Sequence, residues 1–191
     1  MEPRASKSWI GWAVVALAAP ALVIVAVQST RARRVYVAGS GPIAALGADD
    51  APEGIAYVLD VERREAPRAS AARVEGAIAT WPDVVVFGLD VSSIDDDHGS
   101  AAYRETLARL TSQAEGALAV PVVVGPLAAA DATDTERAVV ATLHDWWRLE
   151  LCRAPGTRIC VDATETSLPE AIAAGVREAL TRHESWRAST Q

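Results

Sequence analysis

The chain has 191 residues, half of them apolar, and a formal net charge of −7. This length and composition can bury one core of ordinary size, so we expect a single folded domain. Lys7 is the only lysine and the arginines form no continuous basic face, which argues against nucleic acid as a partner.

An apolar segment without charged residues follows the short N-terminal tail, residues 1–8. It covers residues 9–28 and is long enough to cross a bilayer as a helix. Trp9 and Trp12 lie at its start, where indoles favour the membrane interface. We therefore predict a single-pass transmembrane anchor, followed by a basic linker over residues 29–34.

A cleaved signal peptide is the alternative interpretation of this segment. Ala19-Pro20-Ala21 has the small residues typical of a cleavage site. Cleavage there would leave the apolar residues 22–27 at the start of the mature protein, so an uncleaved anchor is favoured. Basic residues flank the segment on both sides, and the charges therefore do not decide its orientation.

The cysteines favour an oxidising compartment. Cys152 and Cys160 are the only two in the chain, and Pro155 and Gly156 mark a turn between them. Such a turn can bring the two sulfurs within bonding range, and a disulfide persists outside the cytosol. We expect a disulfide and a periplasmic or extracellular domain, with metal ligation by the pair as the weaker alternative.

Beyond the linker, apolar runs of strand length alternate with helical patterns. The runs are nearly continuous, which is typical of strands covered on both faces. Over residues 35–184 the pattern predicts an α/β domain of flavodoxin-like type, a three-layer α/β/α arrangement with a five-stranded parallel sheet. Residues 185–191 are expected to form a C-terminal tail. The predicted strands are VYVA (35–38), IAYVL (55–59), VVVFG (84–88), VPVVVG (120–125) and RICVD (158–162), and the predicted helices cover residues 70–81, 102–118, 134–151 and 167–183.

Ligands of such sheets bind outside the carboxyl ends of the strands. The residues at these ends, in their order and spacing between Val35 and His183, resemble the SGNH (GDSL-type) hydrolases. In that family the first strand ends in Gly-Asp-Ser, a later strand ends in Gly-x-Asn-Asp, and an Asp-x-x-His precedes the last helix. The candidate cleft residues are Gly39, Ser40, Gly41, Gly88, Asp90, Asp162 and Glu165.

The resemblance extends to the frame but not to the nucleophile. Gly39, Gly88 and Asp162 match the family pattern. Ser40 falls where the family has aspartate, and Gly41 falls on the nucleophilic serine. The resemblance therefore implies that the covalent route is lost at the end of the first strand.

The other catalytic groups are replaced as well. Asp90 stands at the oxyanion asparagine, Val91 follows it in place of aspartate, and Glu165 stands at the catalytic histidine. Pro67 aligns with a glycine whose backbone N–H is a second oxyanion donor, and proline has no N–H. Acyl transfer needs a nucleophile, a base and such donors, so the resemblance implies a pseudoenzyme.

Three functions are compatible with these residues. The first is a membrane-anchored, non-catalytic domain that binds a ligand or protein partner at the cell envelope. The second is an active esterase or acyl hydrolase with an unorthodox set, Ser40, Asp90, Asp162 and Glu165. The third is a structural scaffold subunit. Ser40, between two glycines, is expected to stabilise the turn or cap the following helix rather than to act in catalysis.

No cofactor and no metal are expected. Asp90, Asp162 and Glu165 could form an acidic mouth for a divalent ion, but carboxylates at such positions more often face water or a helix N-terminus. The run Asp95 to Asp97 with His98 is interpreted as a solvated loop, with a hard-cation site as the alternative.

Overall fold

The computed structural model describes residues 33–92, 94, 97–128, 132–162 and 167–189. The chain divides into two compact units, residues 1–33 and 34–191, and all but one of the described residues belong to the second. The predicted anchor, residues 9–28, lies outside the described residues. Among the residues that are described, no helix is both long and apolar enough to span a membrane.

The domain is built on one parallel sheet in the strand order β2-β1-β3-β4-β5. This order and the parallel pairing confirm the α/β prediction, and each strand begins and ends within three residues of the predicted run. The strands are β1 (Arg33–Ser40), β2 (Ile55–Glu62), β3 (Val84–Gly88), β4 (Val120–Val124) and β5 (Ile159–Val161).

Four α-helices connect or follow the strands in the part of the chain that the structure describes. They are α1 (Pro67–Ile78), α2 (Asp97–Gly116), α3 (Asp134–Trp146) and α4 (Leu168–Ser189), and a π-helical turn, Trp147–Leu151, continues α3. Helix α4 runs six residues past His183, so the predicted tail begins as helix. Only two short 3-10 turns, Gly41–Ala45 and Ala48–Asp50, follow β1, because glycine and proline interrupt a longer helix there.

The sheet carries a separate apolar core on each face. Side chains alternate along each strand, so Val85 and Phe87 of β3 pack towards α1, α2 and α3. Val84 and Val86 point to the other face, which α4 covers with Ile172 among others. These two cores give the three layers, and they explain why the strand sequences are continuously apolar.

The adjacent tryptophans between β4 and β5 differ in burial, because neighbouring residues of a helix point in different directions. Trp147 is buried in the core, whereas Trp146 is half-buried. The Arg104 guanidinium lies over the Trp146 ring, 5.9 Å from its centre. Trp146 therefore lies at the rim of the core.

A disulfide fastens the connection that leads into β5. Cys152 follows the π-helical turn and is bonded to Cys160 of β5, which confirms the predicted pairing. Glu115 of α2 holds the same loop, since its carboxylate accepts hydrogen bonds from the backbone N–H groups of Thr157 and Arg158. The Arg158 guanidinium completes this contact at 2.7 Å from the carboxylate.

Replacing both cysteines by serine is expected to lower the free energy of unfolding by about 2.5 kcal/mol, because the crosslink restricts the unfolded chain over a short loop. Urea unfolding of the oxidised protein and of the Cys152→Ser/Cys160→Ser variant measures the difference. Chemical reduction of the wild type is the matched control and should give the stability of the variant. Equal stability of oxidised and doubly substituted protein would contradict the prediction.

Candidate functional site at the carboxyl edge of the sheet

The ends of β1 and β3 approach each other too closely for side chains. Gly39 is paired in register with Gly88, and its φ of +114° lies in the region that favours glycine. A Cβ atom added at Gly39 would lie 2.3 Å from the Gly88 carbonyl oxygen. These two predicted cleft residues therefore serve as a close backbone contact.

Ser40 ends β1 with its side chain turned into the protein, and the residue is fully buried. Its Oγ accepts a hydrogen bond from the backbone N–H of Asp90 at 2.9 Å. It also lies 2.7 Å from the Oγ of Ser70, which belongs to α1. The hydroxyl makes no cap to the following 3-10 turn, so that part of the prediction is wrong. Ser40 instead joins the ends of two strands and one helix.

Gly41, which the sequence resemblance aligns with the nucleophilic serine, has little room for a side chain. Its φ is +76°, and an added Cβ would lie 3.1 Å from the Asp90 Cα and 3.2 Å from the Leu89 carbonyl oxygen. Both contacts are with backbone atoms, which cannot turn away as a side chain can. A serine here would require the segment after β3 to shift.

Asp90 is buried, and its hydrogen-bonding groups are occupied locally. The carboxylate accepts hydrogen bonds from the backbone N–H of Ser92 at 3.0 Å and from the Ser92 Oγ at 2.6 Å. Its own backbone N–H donates to Ser40, as described above. The Asp90 side chain, which the sequence resemblance aligns with the oxyanion asparagine, thus accepts hydrogen bonds and stabilises a turn.

Tyr103 of α2 lies in the electrostatic field of Asp90. Burial raises the pKa of the Tyr103 hydroxyl, and the charge of Asp90 raises it further. Among the described residues, the hydroxyl has no hydrogen-bond partner. The phenol therefore stays neutral at physiological pH, and Tyr103 is an uncharged, buried neighbour of Asp90.

Asp162, at the end of β5, has a partner that the sequence did not predict. Nε2 of His144 lies 3.1 Å from its Oδ2, and both side chains are only partly exposed. The His144 ring also packs against the Trp147 ring, with their centres 5.4 Å apart. The available signal was the four-residue spacing of Glu136, Val140 and His144 along α3, which identifies a helix face but not its target.

A cavity of about 130 Å³ lies at this edge beside the Asp90 turn. At roughly 30 Å³ for each water, its volume equals that of about four waters, which suits a small polar ligand or part of a larger one. Polar and apolar groups both face it. The described residues that line it are Arg64, Val91, Ser92, Ala128, Ala132, Glu136 and Val140.

A larger groove, of about 620 Å³, lies elsewhere, between the second 3-10 turn and the start of α4. Asp50, Glu170 and Arg177 are among its lining residues. Nearby, burial and the charge of Asp50 raise the pKa of Tyr57 to about 12. We favour the smaller cavity as the ligand site because the segments that follow β2, β3 and β4 all line it, whereas the groove is lined by α4 and by the segment that leads into β2.

Of the other residues near this edge, Gly125 is covered by a side chain, and three acidic residues lie outside the described part of the chain. The Trp147 ring lies 3.2 Å from the position of an added Cβ on Gly125, so it covers the end of β4. Glu165, Asp95 and Asp96 lie outside the described residues. Within residues 33–92, 94, 97–128, 132–162 and 167–189, no three His, Cys, Asp or Glu side chains form a cluster that could hold a metal ion.

Comparison of the chain with protein-family models, with curated proteins and with solved structures gives no match. The SGNH resemblance therefore remains a prediction from the sequence motifs.

Removing the Ser40 hydroxyl by Ser40→Ala is expected to lower the free energy of unfolding by about 1–3 kcal/mol, because the buried N–H of Asp90 loses its acceptor. Ser70→Ala removes only one of the two contacts of that hydroxyl and is expected to cost less. Urea unfolding of the two single variants and the double variant measures both effects and their coupling. A neutral Ser40→Ala, or an equally costly Ser70→Ala, would contradict this role.

Proposed function

We propose that this protein is a membrane-anchored, SGNH-hydrolase-like pseudoenzyme whose α/β domain binds a ligand or protein partner at the cell envelope. The observation that carries the proposal is the junction of β1 and β3. The Ser40 hydroxyl at this junction is buried and hydrogen-bonded, and Gly41 offers no side chain.

Nucleophilic catalysis requires an oxygen that substrate can reach and a base that can take its proton. The Ser40 Oγ meets neither condition, since it is fully buried and its described partners are a backbone N–H and another hydroxyl. Asp90 brings a negative charge to the place where the family stabilises one. A developing oxyanion would be repelled there.

The loss of catalytic groups leaves a shaped, polar-lined cavity at the carboxyl edge. Arg64, Ser92 and Glu136 supply a cation, a hydroxyl and a carboxylate to its wall, and Val91 and Val140 supply apolar surface. Such a mixture of apolar surface and a few directed polar groups is typical of small-molecule sites. This supports ligand binding over a purely structural use of the cleft.

Placement at the envelope is supported by two independent features. The uncharged apolar segment, residues 9–28, is long enough for a bilayer. The disulfide between Cys152 and Cys160 requires an oxidising compartment to persist. Together they favour a domain held on the outer side of a membrane.

One observation favours the active hydrolase as a second candidate. His144 and Asp162 form an imidazole–carboxylate contact at the correct edge of the sheet, and such a pair is the base and orienting group of many hydrolases. An active enzyme would need an accessible nucleophile that this pair can serve. Ser40 is not among the described contacts of His144.

The purified full chain in detergent is expected not to hydrolyse p-nitrophenyl acetate faster than a heat-denatured sample, because the Ser40 hydroxyl is buried and its described partners are a backbone N–H and another hydroxyl. Ser40→Ala and His144→Gln should leave this background rate unchanged. The rate of p-nitrophenol release checks both. Turnover that disappears in either variant, while far-ultraviolet circular dichroism shows an intact fold, would replace the pseudoenzyme by the hydrolase.

A reporter enzyme that is active only after export, fused after Gln191, is expected to be active in cells because the anchor places the domain outside the cytoplasm. The matched control is the same fusion without residues 9–28, which should be inactive. A second reporter, which is active only in the cytoplasm, is fused at the same position. Activity of this second reporter alone would reject the envelope location.

A further inference from the structure

The amino edge of the sheet, opposite the candidate ligand site, carries large apolar side chains in solvent. Trp81, in the turn before β3, is 75 % exposed, and Leu118, in the turn before β4, is 55 % exposed. Trp186, near the end of α4, is 41 % exposed. We refer to Trp81, Leu118 and Trp186 as the amino-edge patch.

The members of this patch are close in the fold. The Val120 N–H donates to the Asp83 carbonyl oxygen at 2.9 Å, so the turns before β3 and β4 are neighbours. Leu118 and Trp186 line one cavity of about 90 Å³. The patch is therefore one surface at the entry to the two central strands.

The backbone makes these exposed positions unfavourable for an isolated domain. Trp81 and Leu118 have φ values of +55° and +63°, in the left-handed region where helices usually end on glycine. A bulky side chain in this conformation costs free energy. Its burial within the domain offsets little of that cost, since both side chains remain more than half exposed. An external apolar surface would recover it.

The course of the chain indicates which surface that is. All strands of a parallel sheet begin at the same edge, so β1 begins at Arg33 on the side of the patch. Only residues 29–32 separate β1 from the predicted anchor, and four extended residues span at most about 14 Å. A membrane anchor would thus hold this edge against the headgroup region, which lies just outside the hydrocarbon core.

We infer that the amino-edge patch docks on the lipid interface of the membrane that holds the anchor. This inference rests on the anchor in the proposed function. Indole rings favour the interfacial region, and leucine adds apolar area. Arg33 and Arg34, both exposed at the start of β1, add positive charge that favours anionic headgroups. The carboxyl edge, with its cavity, then faces the aqueous side.

The test uses the full chain in phosphatidylcholine vesicles whose acyl chains are brominated near the headgroup, because bromine quenches indoles that reach this depth. One variant, Trp9→Phe/Trp12→Phe, leaves only the domain indoles. The other, Trp81→Phe/Trp186→Phe, leaves those of the predicted anchor together with Trp146 and Trp147, which lie away from the patch. Emission of each is compared between brominated and plain vesicles, and circular dichroism checks that each variant is folded.

Docking predicts that the first variant loses emission in brominated vesicles. Adding Trp81→Phe and Trp186→Phe should abolish that loss, whereas adding Trp146→Phe, at the rim of α3, should preserve it. Leu118→Asn, which introduces a residue that tolerates positive φ, should reduce the loss without unfolding the domain.

Three results would overturn the inference, and they differ in what else they reject. If the anchor indoles are quenched and the domain indoles are not, the domain does not dock, but the anchor stands. If neither pair is quenched, the anchor of the proposed function fails together with the docking. A change in domain emission that follows protein density rather than bromination would assign the patch to a second copy of the chain.

Discussion

The hydrogen bond from the Asp90 backbone N–H to the Ser40 Oγ is the contact on which the carboxyl edge depends. It joins β1 and β3, the two strands at which the strand order reverses, and a sheet of this order opens a crevice at that point. Here the glycine pair beneath the bond brings the two backbones into contact. The described cavity lies to one side of this junction, and it is lined by α3 and by the segments that follow β2, β3 and β4.

This close contact gives the serine at the end of β1 a structural role. The same residue type in a wider crevice would face substrate, whereas here Ser40 satisfies a buried N–H that would otherwise lack a partner. Its neighbour Gly41 meets the backbone of the opposite segment. The same junction therefore sets both the close approach of the two strands and the burial of Ser40.

The sequence predicted what depends on local pattern. Continuous apolar runs identified the five strands, and the Pro155-Gly156 turn identified the disulfide. Contacts between distant elements left no such pattern: Ser70 is thirty residues from Ser40, and His144 reaches Asp162 from a helix whose periodicity shows only which side is apolar. The sequence prediction ended α4 at His183. The helix continues to Ser189, and the residues after His183 contain neither glycine nor proline to stop it.

The contact between Glu115 and the loop before β5 restrains the same connection as the disulfide. Thr157 and Arg158 are held by one carboxylate through backbone and guanidinium groups, independently of the sulfur atoms. Two separate restraints, one covalent and one electrostatic, therefore hold the same connection, and only the covalent one depends on an oxidant.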